Sequence, residues 1–474
     1  MWKRACDPCA ARKAKCDRHS PCQRCKAHNL SCTTVRVSAK PGPKGPWSNR
    51  RKSRTKTQKL SPGAEPARDE LLQYLYIYLQ ESYTLWPVID VERMSSRLLN
   101  TADVSAYALC TAISAVILQR TAQYRIPDNG QSYPGITEHS ILAAESKKAR
   151  TSLLYSPRPD LDILLSSFFL HIYSANAGKI REATLLLREA ITVAQLLELD
   201  QGMHYANLPI EEAQLHLRIV WLLHITERGH TTRFDFPRIL HLDPNLPPLQ
   251  AAEDPSSLLP FTSMCQLFQT FGHAMDDVLP GAISDFFHGM DICLQNTQEP
   301  IPGSAVSVSQ LVDFLITKQW MRMVLWKRAI FHVELSDDIQ GSLSVAFPEQ
   351  VARMAAKYIV DFPRELVEAH GLGMHMKLAD IAISVADMVS CMPRISAHHH
   401  RTRVGAVDVL KYLAGFIFSI SNSVNPRLGL LQEKVSGEAW SSPLEYPPWG
   451  NNRPDDIYRG IKKRKLMLDL VALE

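Results

Sequence analysis

Apolar residues recur at helical spacing through most of the chain after about Asp69, and strand-like alternation is scarce. In the segment Gly178–Asp200, one face carries apolar side chains and the other carries charged ones. The apolar face holds Leu185, Leu186, Ile191, Ala194, Leu197 and Leu199. Leu217–His230 has a similar pattern, and loops are expected near Pro127–Gly135, Asp254–Pro260 and Gln298–Gly303. This periodicity predicts an all-α body.

Two features limit what these helices can be. The most apolar run, around Leu161–Tyr173, is shorter than a membrane span and contains Asp162 and His171, so no membrane partner is expected. Leu71, Leu72, Leu75 and Leu79 support an amphipathic helix of two or three turns. That is shorter than the three or four heptads of a coiled coil, so a homodimer is left open.

Charge is divided unevenly along the 474 residues. Residues 1–60 hold 17 Lys and Arg against Asp7 and Asp17, a net +15, whereas the remainder holds 36 bases and 46 acids, a net −10. This division predicts that the basic head binds a polyanion. Nucleic acid is the first candidate and an anionic membrane surface the second. The first residues lack the apolar segment of a secretory signal, which favours a reducing, intracellular setting.

Six of the ten cysteines fall within 27 residues and form an internal repeat with a 16-residue offset: Cys6, Cys9, Cys16, Cys22, Cys25 and Cys32. A reducing setting disfavours disulfides, and C-x2-C spacing lets two thiolates reach one tetrahedral zinc. Six sulfurs complete two four-ligand sites if two thiolates are shared. A four-cysteine finger would leave Cys16 and Cys32 unexplained, and His19 and His28 remain alternative ligands. The other four cysteines, Cys110, Cys265, Cys293 and Cys391, are expected to be buried structural thiols.

The spacing and its flanks, KRACDPCAARKAKCDRHSPCQRC, resemble the fungal zinc binuclear cluster (Zn2Cys6) DNA-binding domain over residues 3–34. The resemblance implies two structural Zn²⁺ ions, with Cys6 and Cys22 as bridging thiolates. Cys9 and Cys16 would complete one site, and Cys25 and Cys32 the other. Pro21 matches the loop proline of the family.

The basic stretch after Cys9 is the candidate DNA contact. A short helix is expected to open at Cys9 and run to Cys16, carrying Arg12, Lys13 and Lys15. The resemblance assigns Lys13 to the bases of a CGG-like triplet, and Arg12 and Lys15 to phosphates. The alternative is a solvated basic turn that balances the anionic cluster. Ala10 stands where the family usually has Arg, which removes one phosphate contact.

Residues 35–68 predict a basic, disordered linker rich in Pro and Gly. It contains a candidate nuclear-localisation signal formed by Arg50, Arg51, Lys52, Arg54 and Lys56. The alternative is a linker that is merely soluble. Lys40–Trp47 also resembles the stretch after the finger in some fungal regulators of sugar use.

Residues 69–474 resemble the middle homology region, the all-α regulatory domain of fungal transcription factors, through Tyr74–Asp90 and the two periodic segments above. No nucleotide-binding, metalloprotease or hydrolase motif is present, so no enzyme is expected. His398–His400 fits a solvated loop, and Leu466–Glu474 fits either a docked helix or an activation patch, with Lys462–Lys465 as a second nuclear signal.

Together these features predict a nuclear, sequence-specific regulator of RNA polymerase II transcription. Its partners would be double-stranded DNA and the transcription machinery. The expected role is a pathway-specific activator of either a secondary-metabolite cluster or genes of sugar and nutrient use. The competing interpretation is a metabolite-binding or scaffold protein whose basic zinc head only localises it to nucleic acid.

Overall fold

The computed structural model describes residues 5–35, 68–124, 135–151, 153, 160–250, 255–275, 283–300, 305–335, 341–391, 405–420, 425 and 427–436. The chain divides into a head that ends at Ala64 and a body that begins at Glu65. Within these ranges the regular structure is helical, with no β-strand. This agrees with the fold class expected from the sequence.

The head contains two helices of five residues each, α1 (Asp7–Ala11) and α2 (Gln23–Ala27). Such helices are far too short to be stable in water by themselves. The buried residues at their centre are Cys6, Cys9, Cys22 and Cys25, with Leu30 partly buried against them. The head therefore has a core of sulfur atoms instead of aliphatic side chains.

The described body is a succession of helices joined by short connections. In chain order they are α3 (Arg68–Glu81), α4 (Val91–Leu99), α5 (Val104–Tyr124), α6 (Gly135–Arg150), α7 (Leu161–Asn176), α8 (Ile180–Leu196), α9 (Ile210–Phe234), α10 (Pro255–Ala274), α11 (Ile283–Asn296), α12 (Ala305–Ala329), α13 (Phe347–Asp361), α14 (Arg364–Glu368), α15 (Gly371–Cys391), α16 (Ala406–Ile420) and α17 (Leu428–Val435). A 3₁₀ turn, Gly202–Tyr205, lies between α8 and α9.

Helices α3 to α9 pack around the first of two large apolar cores. Its centre is an aromatic group in which Tyr78, Trp86, Phe168 and Phe169 meet edge to face at centroid distances of 5.3–6.5 Å. The hydroxyl of Tyr78 donates to the carbonyl of Trp86, which satisfies its polar end inside the core. This hydrogen bond ties the loop after α3 to α3, and the ring contacts of Trp86 with Phe168 and Phe169 hold the same loop against α7.

Helices α10 to α17 build the second core around Trp320 and Phe314 of α12, both fully buried. The indole N–H of Trp320 donates to Asp380 of α15 at 3.1 Å. Arg322 makes a bidentate ion pair with Asp291 of α11, at 2.7 and 3.1 Å. Each buried charge in these contacts thus has a partner, as a low-dielectric interior requires.

The two periodic segments form α8 and the central part of α9, as predicted. Leu186, Ile191 and Ala194 face the core, but Leu185 is 72% exposed. Its predicted place on the apolar face is wrong, since its neighbours Leu186 and Leu187 are the residues that face inward. Glu227 and Arg228 of α9 form a charged pair, and Glu227 accepts the N–H groups of Ile239 and Leu240.

Two other expectations are corrected. Residues 255–260 begin α10 instead of forming a loop, and Pro260 lies in its second turn. The helix α5, and not the Leu161–Tyr173 segment, is long and apolar enough by composition to cross a membrane over Val104–Thr121. In the folded body 72% of that window is buried, so it packs as a core helix of this structure.

Candidate metal centre and nucleic-acid interface

The backbone repeats itself at the 16-residue offset of the cysteines. Each short helix starts right after a cysteine, Cys6 for α1 and Cys22 for α2. Each is followed by a residue with a left-handed backbone, Lys13 (φ 50°) and Asn29 (φ 49°). The N–H groups of Ala14 and Leu30 then bond to the carbonyls of Cys9 and Cys25, both at 2.9 Å. The head is therefore built from two copies of one loop.

This repeat brings the cysteine sulfurs together. The Sγ atoms of Cys6 and Cys22 lie 3.7 Å apart. Cys6 is also 3.6 Å from Cys25 and 3.8 Å from Cys16, and Cys9 is 3.7 Å from Cys22. Cys6 and Cys22 thus occupy the centre of the group. Two sulfurs bound to one tetrahedral zinc at about 2.3 Å lie about 3.8 Å apart, so these separations fit shared zinc coordination.

Backbone N–H groups point at the sulfurs from outside. Cys22 Sγ accepts the N–H of Cys25 at 3.3 Å, Cys32 Sγ that of Cys22 at 3.4 Å, and Cys16 Sγ that of Arg18 at 3.4 Å. Such bonds favour the thiolate form and hold ligand atoms in place. They also explain why α2 starts where it does, because Cys22 caps the helix with its sulfur.

Ionisation differs among the buried sulfurs. Burial raises the pKa of Cys6 and Cys9, and it raises the pKa of Cys25 to about 12. The N–H of Cys25 instead lowers the pKa of Cys22 to about 6. Buried thiols with raised pKa values become thiolates only beside a compensating cation. The donor set therefore suits a metal.

Two carboxylates close the loops of the head. Asp17 accepts the N–H groups of Gln23 at 2.9 Å and His19 at 3.3 Å, which lowers the pKa of its carboxyl group. Asp7 accepts the N–H of Val35 at 2.7 Å and the hydroxyl of Thr33 at 3.1 Å. The sequence alone shows these two aspartates only as negative charges in a basic segment. The one sequence feature that could have indicated their structural role is their position within the cysteine repeat.

The helix in the basic stretch differs from the one expected at Cys9–Cys16. It starts at Asp7 and ends at Ala11, because Pro8 is accommodated in the first turn and the left-handed Lys13 stops it. Arg12 caps α1, Lys13 lies in the turn that follows, and Lys15 lies in the irregular segment after that turn; all three residues are exposed. Arg18, Arg24 and Lys26 add further exposed cations.

The structure also bears on the alternative metal ligands and on the cysteines outside the repeat. His19 and His28 are exposed, and neither joins the sulfur groups with metal-binding spacing. Cys110 and Cys265 are buried as expected, whereas Cys293 is exposed on α11, which makes that prediction wrong. The nuclear-localisation candidate at 50–56, His398–His400 and the segments at 462–474 lie outside the described residues.

Residues 4–41 match the family of the fungal Zn(2)-Cys(6) binuclear cluster domain. The head of the chain therefore carries this DNA-binding, two-zinc module, and the all-α body follows it.

The whole chain is similar to fungal proteins that are named for sugar use and respiration. The probable sucrose utilization protein SUC1 of Candida albicans is 29% identical over 426 residues, which cover 85% of this chain and 82% of that protein. The maltose fermentation regulatory protein MAL63 of Saccharomyces cerevisiae is 25% identical over 482 residues, which cover 96% of this chain and 98% of that protein. The respiratory transcription factor ZNF1 of Saccharomyces cerevisiae is 24% identical over 458 residues, which cover 94% of this chain and 96% of that protein.

Proposed function

We propose that this protein is a nuclear, sequence-specific activator of RNA polymerase II transcription that controls genes of sugar utilisation. The observation that carries the proposal is the pairing of a zinc-cluster head with a long helical body. Similarity to a protein named for sucrose utilization and to a maltose fermentation regulatory protein extends over most of the chain. It favours sugar use over a secondary-metabolite cluster, and no catalytic activity is proposed.

The sulfur geometry supports the zinc ligands that we propose. Cys6 and Cys22 would hold both Zn²⁺ ions, since the Sγ of Cys6 lies near those of Cys16 and Cys25, and the Sγ of Cys22 lies near that of Cys9 and within 4.8 Å of that of Cys25. Cys9 and Cys16 would complete the first site, and Cys25 and Cys32 the second. Four thiolates per metal leave no open position for water, so the zinc is structural. The six cysteines would then hold the segment with Arg12, Lys13 and Lys15 in one conformation.

DNA contact is assigned to the segment after α1. Lys13 reads base edges of a CGG-like triplet, while Arg12 and Lys15 bind phosphates. The first copy of the repeat is favoured over the second because Arg12, Lys13 and Lys15 place three cations in four residues there. The corresponding part of the second copy, residues 28–31, has none that is always charged. The region at 50–56 supplies nuclear import.

The decisive experiment maps the tagged full-length protein on its own genome, with Cys22→Ala as the control variant. Occupancy of promoters of sugar-utilisation genes, each with a CGG-like triplet and abolished in the variant, supports the proposal. Scattered occupancy that the variant leaves unchanged contradicts it and favours a scaffold role. Reporter transcription from an occupied promoter, induced or reduced, separates an activator from a repressor.

A further inference from the structure

A cavity of about 270 Å³ lies inside the body where the two apolar cores meet. Its walls come from the loop after α3 and from α5, α7, α8, α9, α10, α12 and α15. Both cores thus contribute to one space. A cavity of this size with polar groups in its walls is the usual setting of a small-molecule site.

Charge inside the cavity is unbalanced. Its described lining contains three cationic side chains and one carboxylate, namely Arg120, Arg233, Lys377 and Asp313. The carboxylate is already paired, because Lys377 donates to Asp313 at 2.7 Å. The same ammonium group also donates to Thr317. The remaining excess is positive, so the cavity favours an anion.

Arg233 of α9 is one of these cationic side chains. Its guanidinium group lies 5.1 Å from the ring centroid of Trp320. Its Nε is buried without a hydrogen-bond partner among the described residues. Asp380, whose charge acts on Arg233, already accepts the indole N–H of Trp320 and pairs with Arg427. A buried guanidinium N–H without an acceptor is costly unless a ligand supplies one.

The first turn of α15 adds to this preference. Gly371, Leu372, Gly373 and Met374 line the cavity, and a helix start presents N–H groups without partners and a partial positive charge. Gly371 has a left-handed backbone with φ 59°, and a Cβ there would lie 3.2 Å from Asn176 Oδ1. Glycine therefore lets this turn approach α7.

Hydrogen-bond acceptors line the same space. Gln310 of α12 is 5% exposed, and its Oε1 has no partner in the described part of the chain. His171 of α7 places Nδ1 2.8 Å from the carbonyl of Ala183, so Nδ1 carries the proton and Nε2 is an acceptor. Burial lowers the pKa of His171 to about 4, which keeps the ring neutral. Both groups suit a ligand hydroxyl.

From this arrangement we propose that the cavity binds a small hydroxylated anion of monosaccharide size, with a phosphoryl or carboxylate group on Arg233 and hydroxyls on Gln310 and His171. The site lies in the body and goes beyond the DNA-binding function of the head. Binding joins surfaces from both cores and therefore stabilises their contact.

The test measures thermal unfolding and calorimetric binding of the full-length protein with glucose 6-phosphate, gluconate, glucose, maltose and inorganic phosphate. Glucose 6-phosphate or gluconate should raise the melting temperature, and which of them does so identifies the anionic group. Arg233→Met should weaken that binding by about 10- to 100-fold. Arg218→Met is the matched control, because Arg218 is on the same helix but donates to Pro87 outside the cavity.

The outcomes separate the parts of the proposal. The proposal is overturned if neither hydroxylated anion raises the melting temperature. It is also overturned if glucose or maltose raises it as much as the anions do and still does so in Arg233→Met. Equal binding of inorganic phosphate and glucose 6-phosphate overturns the role of the acceptors. If Arg233→Met fails to fold, the binding of the same ligands to Arg233→Lys and Gln310→Leu tests the proposal instead. Gln310→Leu should weaken the hydroxylated anions and spare inorganic phosphate, and equal weakening of both contradicts the assignment.

Discussion

Lys13 and Asn29 adopt the same left-handed backbone conformation, with φ angles of 50° and 49°, at equivalent points of the two halves of the head. Asparagine tolerates this conformation well, whereas it costs a lysine about 1 kcal/mol. The side chain of Lys13 is exposed, so packing of that side chain does not offset the cost. A lysine at this position fits the proposed contact with DNA.

Lys13→Asn should therefore separate folding from recognition. We expect the zinc-bound head to be as stable as the wild type or slightly more stable. Specific binding to a duplex with CGG-like triplets should weaken by about 1–3 kcal/mol. Titration of the full-length protein with triplet and scrambled duplexes measures both affinities. Asn29→Asp is the control at the equivalent position, and an equal drop in sequence choice in both variants would argue against the assignment of Lys13.

Lys15→Ala and Arg12→Ala should act differently, because phosphate contacts are independent of sequence. Each variant should weaken the binding of all duplexes to a similar extent. The slope of log K against log salt should fall by about 0.9 for each phosphate that the variant no longer neutralises. The measurement is a salt series with both duplexes. A variant that changes the ratio of triplet to scrambled binding while keeping the salt slope would contradict the phosphate role.

Zinc content tests the shared sulfurs. The wild-type protein should hold two Zn²⁺ per chain, and Cys22→Ala should lose both because each metal then lacks a ligand. Cys293→Ala, which removes an exposed thiol of the body, should keep two. Elemental analysis of the purified variants gives the ratio. Retention of two ions by Cys22→Ala would exclude a bridging role for that sulfur.

The body should lose stability as the pH falls from about 6.5. Burial lowers the pKa of His171 to about 4 and that of His230 to about 3. The ring centroids of these two histidines are 5.4 Å apart. The unfolded chain therefore binds protons that the folded body does not, and unfolding becomes easier between these pH values. For His171 the decrease in stability by pH 5 is on the order of 2 kcal/mol.

His171→Asn tests this pH dependence, because the amide nitrogen of asparagine replaces Nδ1 and can still donate to Ala183. Urea unfolding of the full-length protein at several pH values between about 5 and 7 gives the slope. We expect a flatter slope for His171→Asn than for the wild type. Replacement of the exposed His28 by Asn should leave it unchanged. Identical slopes in wild type and His171→Asn would show that this ring does not titrate on unfolding.

Sequence predicts most where the signal is local. The repeated six-cysteine pattern indicates which cysteines form one group of sulfurs, and the period of Leu186, Ile191 and Ala194 indicates the inner face of α8. The boundaries of α1 cannot be predicted in this way, because they depend on how Lys13 and Pro8 fit a loop closed by the sulfurs. The prediction for Leu185 is wrong because three consecutive leucines leave the direction of the apolar face ambiguous.

The cavity cannot be predicted at all from sequence. Arg233, Gln310 and Lys377 lie far apart along the chain, and each resembles an ordinary polar residue of an amphipathic helix. Only the packing of α9, α12 and α15 shows that their polar groups line one space. Signals of this kind arise from long-range assembly, to which periodicity and spacing are insensitive.

The sulfur core of the head has a consequence for the cell. Because the buried side chains there are cysteines, withdrawal of zinc removes what holds the head together and leaves the separate aliphatic cores of the body intact. The metal-depleted protein is then a folded body attached to an unfolded DNA-binding segment. A shortage of intracellular zinc is thus expected to silence the regulator without destroying it, and resupply should restore it without new synthesis.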